Sequence, residues 1–117
     1  MAALEPHIKG EARIHELFKR IRAADIHAAD LYAEDAVFIL GGRRVEGRDA
    51  IREFYLKGFE VYQAQPTVQQ VLSAPGSDTY AAILEVPTKH GIQRVFDLLV
   101  VDDEGIRLLE VFSRTQG

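Results

Sequence analysis

Val95-Phe96-Asp97-Leu98-Leu99-Val100-Val101 is the stretch whose reading decides the fold. Successive side chains of a strand point to opposite faces. Phe96, Leu98 and Val100 therefore share one face, and Val95, Asp97, Leu99 and Val101 share the other. Apart from Asp97, both faces are apolar, so both require cover. On either side of this segment the pattern keeps a period of two. Thr67–Ala74, Thr79–Thr88, Ile92–Asp102 and Ile106–Arg114 read as four strands. Pro75-Gly-Ser-Asp78, Lys89-His-Gly91 and Asp103-Glu-Gly105 are the turns between them. Short turns between consecutive strands imply an antiparallel meander.

Upstream of Pro66 the period changes. Ile14, Leu17, Phe18 and Ile21 recur at helical spacing, which predicts a helix over residues 11–23. Asp25 has the character of an N-cap for a second short helix ending near Tyr32. Asp35–Leu40 is an apolar run closed by Gly41-Gly42, a strand and tight turn, with Arg43–Glu46 as the return strand. Asp49 stands in the first turn of a third helix, where the helix dipole favours an acid. The apolar stripe of that helix is Ile51, Phe54, Tyr55, Gly58, Phe59 and Tyr62. Three helices with apolar stripes precede the meander and must cover one face of it, which makes the class α+β. The other face calls for a second subunit, and a homodimer is expected.

The 117 residues fit one domain, 1–117, and 47% apolar content supplies a core. The net charge of −4 argues against nucleic acid, whose binding needs a basic face. No apolar run approaches the roughly 18–20 residues of a membrane span. The N-terminus lacks the pattern of a secretory signal, and the chain has no cysteine, so a cytoplasmic location is expected. His7, His15, His27 and His90 show no ligand spacing, and the glycines show no phosphate-loop spacing. Neither a metal nor a cofactor is expected.

Three segments resemble one family. Leu31-Tyr-Ala-Glu-Asp-Ala-Val-Phe38 is similar to its helix-to-strand entry. Val45-Glu-Gly-Arg-Asp-Ala-Ile-Arg-Glu-Phe-Tyr55 is similar to its third-helix opening, and Phe96–Ile106 to its final hairpin. The family is the ketosteroid-isomerase-like, or SnoaL-like, group of the nuclear transport factor 2 superfamily, and the likeness spans about residues 11–113. It implies a cone in which three N-terminal helices pack into a curved, mostly antiparallel sheet with a pocket at the wide end. It also implies a homodimer in many members, and activities such as double-bond isomerisation, polyketide cyclisation, dehydration and epoxide hydrolysis.

The resemblance places Asp97 where ketosteroid isomerase keeps its oxyanion-side aspartate. Leu40 stands in the place of the general base and Leu17 in that of the principal first-helix tyrosine, so ordinary ketosteroid isomerisation is not expected. Tyr32 and Tyr55 match supporting tyrosines. From the residues alone, an aspartate in so apolar a strand must be solvated in a pocket, protonated, or paired, with Arg94 or Arg114 as the available cations. Tyr55 reads equally as a core aromatic or as a donor into the pocket, whereas Tyr32 reads better as a core aromatic whose hydroxyl reaches a rim or the other tyrosine. Glu85 alternates with the apolar set Tyr80, Ala82, Leu84 and Val86 and is expected outside. The candidate catalytic residues are thus Asp97, Tyr55 and Tyr32, and the candidate cavity lining is Leu17, Phe18, Phe38, Leu40, Phe54 and Phe59. The expected function is proton transfer on an apolar carbonyl or polycyclic molecule: isomerisation, cyclisation or dehydration. The alternative is a non-catalytic module that binds a hydrophobic ligand or serves only as a dimeric interaction domain.

Overall fold

The computed structural model describes residues 5–61, 65–88 and 90–113. Tyr62, Lys89 and Arg114, which figure in the expectations above, lie outside them.

Helix α1 runs Glu5–Arg22, so it begins earlier than its apolar spacing predicts. The cause is at Gly10. A Cβ there would collide with the hydroxyl and ring of Tyr80, so the glycine that weakens the sequence pattern is what lets the sheet approach the helix. Ile14, Leu17, Phe18 and Ile21 form the buried stripe. The helix ends in a Schellman arrangement with Ala24 at φ 53°. Asp25 N donates to Arg20 O at 2.9 Å and Ala24 N to Ile21 O at 3.0 Å. Asp25 then caps the next segment by accepting from His27 N at 2.9 Å. That segment, Ile26–Leu31, is a 3₁₀ helix.

Strand β1 spans Tyr32–Leu40, three residues longer at its start than predicted. Its opening is irregular: Tyr32 pairs with Ile106, and regular pairing resumes only at Val37 with Leu108. The bulge hides the strand from a period-two reading, because Ala33 and Ala36 are both buried. Gly41 and Gly42, at φ 57° and 82°, make the two-residue turn into β2, Arg43–Glu46. Both dihedrals lie where L side chains are strained, as a type I′ hairpin demands. Helix α2 is Arg48–Val61 and buries Ile51 and Tyr55. Four strands follow: β3 Thr67–Ser73, β4 Thr79–Thr88, β5 Gly91–Asp102 and β6 Gly105–Ser113.

The six strands form one curved sheet in the order β2-β1-β6-β5-β4-β3. The β3–β6 run is the expected antiparallel meander. β1 joins it by pairing parallel with β6. The sheet is open, with β2 and β3 as its edges. The inner face carries Tyr80, Ala82, Leu84, Asp97, Leu99, Val101 and Leu109, all buried with the stripes of the helices in one core. Glu85 lies on the outer face, in register with Arg94, as its alternation predicts. That outer face carries exposed Leu72, Phe96 and Phe112, and the last two rings sit 5.5 Å apart on neighbouring strands.

Candidate functional site

A cavity of about 800 Å³ opens between α2, the β1–β2 hairpin and the end of α1. Most of its wall comes from α2. Ala50, Glu53, Phe54, Lys57, Gly58 and Val61 face it, at the i, i+3, i+4, i+7, i+8 and i+11 positions of one helical face. The opposite wall is Leu40 with all of β2, Arg43, Arg44, Val45 and Glu46, and Ile21 closes the end. The lining is chiefly apolar, with charged groups only at the mouth.

Tyr55 connects this cavity to the core. Its ring is part of the cavity wall and stacks nearly parallel on Phe59, with centroids 5.8 Å apart. Phe38 meets Tyr55 edge-on at 5.8 Å and Phe54 at 4.9 Å, a cluster in the range of favourable ring pairing. Behind the ring, the Tyr55 and Tyr32 hydroxyls share a buried hydrogen bond of 2.6 Å. Burial raises both phenols above their ordinary value, and the nearby Asp97 carboxylate raises each further.

Asp97 is the buried charged residue of the core, 3% exposed. β5 aims it inward between its register partners Ala82 and Val111. Arg94 stands an odd number of residues away on the same strand and faces outward, so it does not pair with Asp97. Arg114, the other cation considered, lies outside the described residues. Asp97 Oδ1 has no hydrogen-bond partner among the described residues. Desolvation favours the neutral acid, and its pKa is pushed up to about 7. The group is therefore divided between acid and carboxylate at neutral pH.

Of the residues expected to line the cavity, Leu40, Phe54 and Phe59 do so. Leu17, Phe18 and Phe38 do not: at 0, 4 and 6% exposure they are packed core. Leu17 and Phe18 belong to the buried stripe of α1, and Phe38 is covered by Phe54 and Tyr55 of α2. Tyr32 and Asp97 likewise sit behind the wall, reached through Tyr55. Arg43, Val45, Ala50, Lys57, Gly58 and Val61 went unread in the sequence as lining. The signal for the α2 residues is the second face of that helix; the β2 residues line the cavity through the hairpin's position at its rim, which alternation does not reveal. Among the described residues, no group of three His, Asp or Glu is placed to hold a metal ion.

No family model matches the chain, and no curated protein does. Solved structures do. An NTF2-like protein of unknown function from Cytophaga hutchinsonii superposes with a TM-score of 0.75 over 89% of this chain and 88% of its own, at 12% identity. The chain has the NTF2-like fold. The epoxide hydrolase/cyclase-like enzyme SalBIII, which has a role in pyran ring formation in the polyether salinomycin, shares it. It superposes with a TM-score of 0.77 over 92% of each chain, at 17% identity. A putative polyketide cyclase from Sinorhizobium meliloti gives 0.78 over 86% of this chain and 94% of its own, also at 17% identity. In this NTF2-like fold the helices lie on the inner face of the sheet, and the cavity sits at the end where α2 and the β1–β2 hairpin diverge.

Proposed function

We propose that the chain is a cytoplasmic, homodimeric protein that takes a small, largely apolar molecule into the α2–β2 cavity and exchanges a proton with it through Asp97. The observation that carries the reading is Asp97 itself, a buried carboxyl with an unpartnered oxygen beside two linked phenols. Burying such a group costs several kcal/mol without a return, and pKa perturbation of this kind concentrates at functional sites. Once the Tyr55 ring turns aside from the wall to admit the ligand, Asp97 as a carboxylate removes an acidic C–H proton and becomes the carboxylic acid. It then returns that proton to another atom of the same molecule, so isomerisation or cyclisation is balanced with no further reagent. The Tyr55 hydroxyl, bonded to Tyr32 behind the wall, moves with its ring and donates to a carbonyl oxygen as negative charge develops there. The relatives that share the fold include cyclase-like enzymes, which makes this chemistry a natural use of it.

A second reading, ligand binding without turnover, has one specific support: Asp97 does not line the cavity wall, and Leu40 places an apolar group where a second carboxylate would help. A nitrobenzisoxazole, whose activated C–H reports proton abstraction directly, separates the two. Catalysis by Asp97 predicts a rate that rises with pH and is half-maximal near 7, and an Asp97→Asn variant reduced about 10²-fold or more. Equal rates in both proteins, with the probe bound by both, would leave the binding module.

A further inference from the structure

The charges at the cavity mouth are not balanced. All four residues of β2 border the cavity. Arg44 and Glu46 neutralise each other through a 2.8 Å ion pair. The Arg43 guanidinium carbon lies 5.4 Å from the centroid of the Phe54 ring, a cation–π contact with an aromatic that also lines the cavity. Arg43 has no carboxylate partner among the described residues. Across the opening, Lys57 and Glu53 lie one helical turn apart on α2 and offset each other. Arg43 is therefore a surplus positive charge, oriented at the lip of an apolar cavity.

We infer that the ligand is amphipathic: an apolar body enters past Phe54 and Phe59, and a single carboxylate at its trailing end is held at the mouth by Arg43. This deepens the proposed function and rests on it, since it presumes that the cavity binds an apolar molecule. The chemistry favours a carboxylate. A planar guanidinium presents an N–H fork for a bidentate contact, and its attraction to the Phe54 ring keeps that fork at the mouth. The trailing position also follows from charge. A carboxylate driven inward would meet Asp97 in its ionised form, and like charges in a poorly solvated core repel.

Fluorescence titration with 1-pyrenebutyrate and with the uncharged 1-pyrenebutanol tests the inference, because the two share one apolar body. In the unaltered protein the acid should bind about tenfold more tightly than the alcohol, the equivalent of roughly 1.4 kcal/mol. That preference should shrink as salt is raised. In Arg43→Met, which keeps an apolar stem over Phe54, the ratio of the two affinities should fall to about one. Arg43→Lys should restore part of it, and Glu53→Gln should increase it. Equal binding of acid and alcohol by the unaltered protein would overturn the carboxylate while leaving the cavity reading intact. Binding of neither would overturn the cavity reading and this inference with it.

Discussion

Replacing Asp97 by Asn should change the pH dependence of stability in a way that only a buried, unpaired carboxyl produces. In the unfolded chain Asp97 ionises near its ordinary 3.8, and in the folded protein near 7. Below about pH 3.8 both states hold the proton and Asp97 imposes no penalty. Between the two values the unfolded state releases a proton that the folded state keeps, so folding weakens by about 1.4 kcal/mol per pH unit. Above about 7 the penalty is complete, on the order of 4 kcal/mol. Asn carries no such dependence. Its amide brings its own burial cost, about 1–3 kcal/mol if unpartnered, but that offset is the same at every pH. Asp30 and Asp102, whose pKa values are lowered by His27 and Arg52 and by Arg107 respectively, are present in both proteins and cancel in the comparison. Urea unfolding of both proteins, at one protein concentration and from about pH 4.5 to about pH 8, gives the difference directly. The Asn variant should gain roughly 3–4 kcal/mol relative to the parent across that range. A flat difference would show that Asp97 titrates normally. A difference of the opposite slope would show a paired carboxylate, and the argument from burial would fail.

The remaining expectations concern the phenol pair, the outer sheet face and two helix glycines. Tyr55→Phe or Tyr32→Phe alone leaves one buried hydroxyl without its 2.6 Å partner and should cost about 1–3 kcal/mol. The double change should cost clearly less than the sum, and an additive result in the same denaturation series would show that the two hydroxyls are not coupled. Light scattering should give about twice the 13.1 kDa chain mass, with the outer face buried between copies. Leu98→Asp or Phe112→Asp should shift it to monomer, and a monomer in the parent protein would remove the dimer. Gly10→Ala should destabilise by about 1–3 kcal/mol through its clash with Tyr80. Gly58→Ala, which meets nothing within 4 Å, should instead stabilise α2 by about 0.5–1 kcal/mol.

The meander was readable because a period of two, broken by short polar turns, has few other interpretations. The resemblance carried by residues 31–38, 45–55 and 96–106 supplied the arrangement of helices and sheet, which periodicity alone does not give. What stayed hidden was non-local or irregular. The bulge after Tyr32 breaks alternation, and the Gly10 contact depends on a tyrosine seventy residues away. The 3₁₀ form of residues 26–31 was read only as a short helix. Asp97 stood out in the sequence because a charge in an apolar strand needs an explanation. Its setting behind Tyr55, rather than at the cavity surface, depends on how α2 crosses the sheet. In the sequence Arg43 is only the first residue of a return strand, because its basic neighbour Arg44 and the acid Glu46 make an ordinary charged hairpin. The Phe54 contact that distinguishes Arg43 is tertiary.

The parallel pairing of β1 with β6 sets an order on how the chain acquires its shape. β3 to β6 need only neighbouring segments and can zip together as successive hairpins. β1 must wait for a partner roughly 70 residues further along the chain, and such distant pairings close slowly. As the protein emerges from the ribosome, the β1–β2 hairpin and α2 are made early but have no sheet to join until the final strand appears. During that interval their edges are open to misassociation. Leu40, Arg43 and Val45 belong to this unit, so the cavity is complete only once the β1–β6 ladder has formed. Occupancy of the cavity would then favour the finished sheet over every intermediate that lacks the β1–β6 ladder.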